Sequence, residues 1–466
     1  MRRLLTLTIV LAAAAGCAAR RPYTPPEVAP ASLTRLDATA VDTRPFDPRW
    51  WAQFSDPVLD TLVVRALESN HDVRIAVARL DQARAFRDES ALDRYPHVPV
   101  GASVDRRDQA QPGFSDEPQV VTTYRAGLNA FWEVDLFGRV RSQIRAASAN
   151  AQSFEAALDD VRVSLVSEVA ANYFLLRGLQ HQLAVAERNL TNQRESLRLT
   201  IVRRDAGIGE EQDVASAAAR VAGTEATVPP LRSALAEREH RLAVLVGARP
   251  GALGVDLAPR AYPPLAGTLA IGEPDALLRR RPDVRAAERR LASATATEGV
   301  AVADLYPRIT LSGFLGFLAG RGSLFGTSDS RAYAVTPALS WAAFDLGGAR
   351  ARLRGAEAGT RESLAAFERT VLRALEETEN ALVRYRQDQE RLVKLADQAR
   401  ESSRAAAIAR VRYREGAIDF LGLLDAERTE LQAEDAVAVA EADVFVSVVG
   451  VYKSLGGIPS ATNGQP

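Results

Sequence analysis

Tyr95-Pro96, an alternating stretch, Trp132, Asp135-Leu136-Phe137-Gly138-Arg139, a very long helical run and a break at Gly207 follow one another in the first half of the chain. The same order returns as Tyr306-Pro307, an alternating stretch, Trp341, Asp345-Leu346-Gly347-Gly348, a second long helical run and a break at Gly416. Tyr95, Asp135 and Gly207 lie 211, 210 and 209 residues before their counterparts, so the register drifts by only two residues across the whole unit. A repeat of this length describes one architecture used twice, not two unrelated domains. Each copy joins short strands to a helix far longer than a globular core uses.

The long runs carry a coiled-coil-like seam. Phe154, Leu158, Val161, Leu165, Val169, Tyr173, Leu176 and Leu183 recur at threes and fours with one longer gap, and Leu364, Phe367, Val371, Leu375, Thr378, Leu382, Tyr385, Leu392 and Leu395 do the same. From about Arg139 to Ala206 and from Ala349 to Glu415, at 1.5 Å per residue, each helix is on the order of 100 Å long. An ordinary helix has about 12 residues, so these belong to a tube or rod. Shorter helical pieces are expected at 56–93, 210–246, 274–304 and 421–455, two of which together match one long helix. The Gly- and Pro-rich stretch Gly247 to Gly272 reads as a small mixed belt between the halves.

The alternating stretches raise the membrane question. Tyr124, Ala126, Leu128, Ala130, Trp132 and Val134 face one way, and Arg125, Gly127, Asn129, Phe131 and Glu133 the other. Tyr333, Val335, Pro337, Leu339 and Trp341 alternate likewise with Ala334, Thr336, Ala338 and Ser340. Period-two alternation with aromatics near the ends, over about 9–11 residues, suits a transmembrane strand. Four strands are expected at about 96–105, 124–136, 308–318 and 333–345, with loops at Arg106 to Thr122 and Ala319 to Arg331. Four strands cannot close a barrel, and open edges are not tolerated in lipid. Three copies would give twelve strands above a helical tube; half-buried strands of a soluble sheet are the other reading.

Composition excludes several classes. A net charge of −1 and a pI near 6.5 give no reason to expect nucleic acid as a partner. One cysteine and four scattered histidines assemble neither a disulfide framework nor a zinc site. Residues 1–16, Met1-Arg2-Arg3 followed by an apolar run to Ala15, read as an export signal. The lone cysteine, Cys17, directly follows Ala14-Ala15-Gly16 as in a bacterial lipobox, where it becomes the acylated amino terminus; a chance cysteine at an ordinary cleavage site is the plainer alternative. Ala18 after it, by analogy with lipoprotein sorting, points to the outer membrane. Past residue 17 no run of about 18 apolar residues is present. Residues 17–55 then form a Pro-rich arm pinned by Trp50-Trp51 and Phe54, followed by a first repeat at 56–247, a linker at 248–272, a second repeat at 273–456 and a tail at 457–466.

No catalytic constellation accompanies this plan. Gly320-Arg321-Gly322-Ser323-Leu324-Phe325-Gly326 fails the spacing of a nucleotide loop, lies between strands, and reads as a flexible outer loop. Asp159-Asp160 and Glu376-Glu377 read as solvated faces without a nucleophile or base.

Leu277-Leu278-Arg279-Arg280-Arg281-Pro282-Asp283-Val284-Arg285-Ala286-Ala287-Glu288, then Gly299-Val300-Ala301 through Tyr306-Pro307-Arg308-Ile309, and Tyr413-Arg414-Glu415-Gly416 through Leu423-Leu424-Asp425-Ala426, resemble the TolC family of outer-membrane efflux ducts, in particular its NodT- and OprM-like lipoprotein branch. The resemblance implies a mainly α protein with a transmembrane β-barrel: a homotrimer with a twelve-stranded pore in the outer membrane of a Gram-negative bacterium and a long helical barrel in the periplasm. It implies no cofactor beyond a covalent lipid on Cys17, no catalysis, and docking to a periplasmic adaptor and an inner-membrane pump of the RND class. By position, Tyr413 and Asp425 match a gate tyrosine and gate aspartate, and Gly207 and Gly416 the tip turns that an adaptor meets. Gly422 stands where a second aspartate ring would be, and Ile418 where an arginine tether would be. A solvated surface acid is the plainer reading of Asp425. The rival function is a lipid-anchored periplasmic coiled-coil adaptor or scaffold without a pore.

Overall fold

The structure is a computed structural model that describes residues 23–26, 41–42, 44, 47, 49–111, 115–263, 268–272 and 278–457. The export signal, Cys17 and all but the first residue of the 457–466 tail lie outside the described residues. The described chain falls into two compact units: Met1–Glu27 with Ala78–Glu155 and Ala286–Arg369, and Val28–Val77 with Ala156–Arg285 and Thr370–Pro466.

Eight helices and four strands are named in chain order: α1 (Pro57–Ser69), α2 (His71–Leu92), β1 (Val100–Gln111), β2 (Ser115–Val134), α3 (Arg139–Asp205), α4 (Glu211–Glu225), α5 (Val228–Leu245), α6 (Pro282–Ala303), β3 (Arg308–Ala319), β4 (Arg331–Ser340), α7 (Leu346–Arg414) and α8 (Phe420–Ser454). The two long runs are single helices of 67 and 69 residues. Among the described residues no helix is long and apolar enough to cross a membrane.

In the first unit the strands form one antiparallel sheet ordered β1-β2-β3-β4. Register places Leu128 opposite Leu315 and Trp132 opposite Leu311, and these in turn opposite Tyr333 and Pro337. Val100 and Val104 continue the same face across β1, opposite Leu128 and Tyr124. One face is therefore an apolar band across all four strands. The other carries Ser103, Arg125, Asn129, Ser312 and Thr336. Trp132 and Trp341 donate their indole N–H groups to the carbonyls of Arg94 and Leu305, each at 3.0 Å, fixing the aromatic belt at the foot of the sheet. There Asp135 accepts from the Val140 and Arg141 amides at 3.2 and 2.9 Å and caps α3, which gives the Asp-Leu-Phe-Gly motif its purpose.

Two expectations for the sheet are corrected. Arg106 to Thr122 is not a loop: β1 and β2 stay paired from Arg106 opposite Thr122 to Gln111 opposite Ser115. The described side chains there, Arg106 to Asp108 and Glu117 to Val120, are exposed on both faces, and without an apolar face to enforce alternation the segment reads as loop. The strands accordingly begin and end at 100–111, 115–134, 308–319 and 331–340 rather than at the expected bounds. The stretch from Gly320 to Gly326 is compact, with Phe325 packed 6.4 Å from Tyr124 and 6.2 Å from Phe317 between ring centroids.

The second unit holds an aromatic-rich apolar core. Trp50 stacks on Tyr452 at 5.3 Å, Phe54 meets Phe174 at 4.9 Å, and Tyr262 stacks on Phe445 at 4.6 Å. Leu59, Leu62 and Val63 of α1 are fully buried there. The expected helix over 56–93 is interrupted at Asn70, whose extended backbone ends α1 and whose side chain accepts from Asp72 and Val73 to start α2. The expected helix over 210–246 breaks at Thr227, where Pro229 and Pro230 enter the first turn of α5. Arg281 explains its arginine-rich motif: buried, it ties Asp283, Glu377 and the Ser454 carbonyl, the last at 2.8 Å.

Candidate functional site

The two tip turns are built alike. α3 is followed by a turn at Gly207 and α7 by one at Gly416, with φ of 72° and 75°. The Ile208 amide returns to the Arg203 carbonyl at 3.0 Å and the Ala417 amide to Arg412 at 2.7 Å, the Schellman closure that favours glycine at this position. A β-carbon there would be strained by the left-handed backbone whatever the space around it.

One side chain ties the turns together. Arg203, in the last turn of α3, donates from Nη1 to the Tyr413 carbonyl at 2.8 Å, and its guanidinium lies 4.8 Å from the centre of the Tyr413 ring. The Tyr413 hydroxyl sits 3.2 Å from the hydroxyl of fully buried Thr200. Around Tyr413 pack Ala217 of α4, Ala409 of α7 and Phe420 and Leu423 of α8, so all four tip helices share one small core. Asp419 caps α8 by accepting from the Gly422 amide at 2.9 Å.

Tyr413 and Asp425 have different surroundings. Tyr413 is buried. Asp425 is exposed on α8 and pairs with Arg428 one turn on.

A second polar cluster lies further along the same helices. Arg410 of α7 reaches Glu427 at 3.0 Å and also pairs with Glu430, while Ser196 donates to Glu427 at 2.9 Å and Ser403 to Glu430 at 3.0 Å. Both carboxylates are nearly inaccessible. Burial works against the charge on Arg410, but its bonds and attraction to Glu430 and Glu427 outweigh it and hold the guanidinium above its ordinary value. Glu434 then accepts from Arg188 and Asn189 at 3.0 and 2.9 Å, Asp435 from Gln182 at 3.0 Å, and Glu441 pairs with His181 at 2.9 Å. As residue numbers fall on α3 they rise on α8, so an antiparallel ladder of acids and donors joins them. Its main rungs, Glu427, Glu434 and Glu441, are seven apart, a heptad signal readable on the apolar α8. Thr200 and Arg203 carry no such signal, because their partner lies about 210 residues away.

Among the described residues no cluster of His, Cys, Asp and Glu could hold a metal. The expectation that Asp159-Asp160 is a solvated face is corrected at Asp159, which is buried and held by Arg162 and Arg285.

The family model of the outer membrane efflux protein matches residues 62–248 and again 274–457, one match for each copy of the repeat. The pyoverdine export outer membrane protein OpmQ of Pseudomonas putida is 32% identical over 465 residues, covering 97% of this chain and 96% of that protein. Outer membrane protein OprJ of Pseudomonas aeruginosa is 31% identical, with 88% and 86% covered. The solved outer-membrane channel OprN superposes with a TM-score of 0.91 at 50% identity, covering 95% of this chain and 99% of that one. The open state of the Neisseria gonorrhoeae MtrE outer membrane channel does so at 0.82 and 28%, covering 94% and 97%. Strand sheet, doubled long helices and matching family model converge, and the chain belongs to the outer membrane efflux protein family.

Proposed function

We propose that three copies of this chain close a twelve-stranded barrel in the outer membrane and form the passive exit duct of a tripartite efflux pump, gated at its helical tip. The observation that carries the reading is the four-stranded sheet with one continuous apolar face and two outer strands, β1 and β4, that among the described residues each pair on one side only. An edge of this kind in lipid demands another strand, and a symmetric neighbour supplies it. Tyr333 and Val335 on β4 are 83% and 68% exposed, apolar surface that suits lipid and not water. A lipid-anchored periplasmic scaffold would need the coiled helices but not this sheet.

Cys17 carries the lipid in this reading, and one chain anchors only weakly, so barrel and lipid act together. A periplasmic adaptor meets the turns at Gly207 and Gly416, and an inner-membrane pump of the RND class supplies the energy. Asp425, exposed near the start of α8, forms a carboxylate ring with its two symmetry mates at the tip, while Tyr413 locks α7 to α3. Detergent-extracted protein should have the mass of a trimer and should conduct as single channels in planar bilayers. A monomer that never conducts would remove the barrel.

A further inference from the structure

The polar face of the sheet carries charges at its two rims and one between them. At the foot, Glu133 holds Arg139 at 2.7 Å and lies 3.7 Å from Arg308, which reaches Asp304 at 3.3 Å. Toward the far end, Asp105 holds Arg107 at 2.6 Å. Each of these bases has a carboxylate beside it. Arg125 lies between the rims on β2, exposed, and among the described residues no carboxylate comes within 4.0 Å of its guanidinium, Asp105 two pairs along the register being held by Arg107.

Its position is built. Gly127 faces Gly316 across β2 and β3, and the Phe314 ring lies across Gly127, where a β-carbon would come within 2.9 Å of Cε2. The guanidinium of Arg125 stacks on that ring at 4.1 Å from its centre and donates from Nη2 to Asn129 Oδ1 at 2.7 Å. A cation–π contact and a neutral amide orient the group without neutralising it. A side chain held like this keeps its charge at one level of the sheet instead of sweeping through solvent.

We propose that Arg125 sets the charge preference of the barrel lumen, favouring anionic solutes over cationic ones. This rests on the trimeric barrel reading, in which the polar face lines the aqueous pore. Three copies then place three fixed guanidiniums at one height, and charged rings of this kind select permeants by sign. In 10 mM salt the screening length is about 30 Å, enough for the field of each to reach across a wide lumen, whereas in 1 M salt it is about 3 Å.

Ser103 lies directly opposite Arg125 in the β1–β2 register and is exposed, so a thiol there reads the local potential. In a Cys17→Ala, Ser103→Cys protein, with no other cysteine in the chain, the rates of modification by an anionic and a cationic methanethiosulfonate are compared. A unit charge about 7 Å away in water, screened over about 30 Å, changes each rate about twofold in opposite directions, so Arg125→Gln should lower the anion-to-cation rate ratio about fivefold at 10 mM salt. Arg125→Lys should keep most of the ratio, and 1 M salt should abolish the difference. An unchanged ratio in Arg125→Gln overturns the proposal, as does a change that persists in 1 M salt, which would mark a steric cause. A thiol that reacts with neither reagent shows that this face is not aqueous and overturns the barrel reading along with it. The experiment needs no open tip, because the reagents enter from the outer mouth.

Discussion

Arg410→Met tests whether the buried acids of α8 hold the tip helices together. Glu427 and Glu430 have side chains only 5% and 6% exposed, and Arg410 is their shared cation. Removing one partner of a buried ion pair costs about 3–5 kcal/mol, because the remaining charge is stranded in a poorly solvating site. Arg410 is itself 27% exposed, which lets water reach the cluster and places the cost near the lower limit, about 3 kcal/mol. Local opening is read by amide hydrogen exchange, where a loss of that size speeds exchange roughly a hundredfold. The acceleration should be confined to α3, α7 and α8 near Ser196, Ser403 and Glu427, leaving the strand amides unchanged. In a Glu427→Gln/Glu430→Gln background the same substitution strands no charge and should cost under about 1 kcal/mol. Equal acceleration in both backgrounds would refute the reasoning, because the loss would then come from packing of the arginine stem.

Three further outcomes are expected. The hydrogen bond to Glu441 holds His181 above the ordinary imidazole value against partial burial, so its contribution is complete below the unfolded value of about 6.5 and fades as pH rises through the folded one. The melting difference between the protein and His181→Asn should therefore be largest near pH 6 and vanish at alkaline pH; a gap that widens with pH contradicts the assignment. Gly416→Ala should destabilise the tip by roughly 1–2 kcal/mol through its left-handed backbone, and Gly207→Ala by a similar amount, both visible as faster exchange in the turns and refuted by unchanged protection. Asp425→Ala should leave thermal unfolding unaltered, since the side chain is exposed, yet raise the resting conductance in bilayers; unaltered conductance takes Asp425 out of the gate.

Much of the architecture is legible because the chain states it twice. Matching landmarks from Tyr95 to Gly207 and from Tyr306 to Gly416 define the unit, and a heptad seam over so many turns has few structural interpretations. The sheet's inner rows are legible for the same physical reason: one face meets an apolar medium and one does not, so alternation is enforced. Where that asymmetry ends the signal ends, and the paired strands from Arg106 to Thr122 look like a loop. Asn70 is hidden differently, since a single amide that ends one helix and starts the next does not disturb the helical period around it. The tip is legible only in part. Gly207 and Gly416 announce turns, but the bond from Arg203 to Tyr413 joins residues from opposite copies, and periodicity says nothing about such pairs.

The two copies are not equal in structure. Their turns share a left-handed glycine and the same backbone closure, but the returning helices differ. That of the first copy is broken into α4 and α5 at Thr227, with two prolines in the new first turn and no side-chain cap at Glu210. That of the second copy is a single helix of 35 residues, capped by Asp419, and it carries the acids at 427, 434 and 441. The return of the first copy is thus made of two separately hydrogen-bonded pieces, whereas that of the second is continuous from Phe420 to Ser454. Every rung of the acid ladder joins α8 to α3, and the Tyr413 lock joins α7 to the same helix. In the proposed gate, moving the α7–α8 hairpin away from α3 would break the contacts of Thr200 and Ser196 first and those of Asn189 and His181 further along, while the buried pairs of Arg410 with Glu427 and Glu430 join α7 to α8 and stay intact. The buried cluster thus holds the moving hairpin together, and the rungs from Ser196 to His181 hold that hairpin to α3.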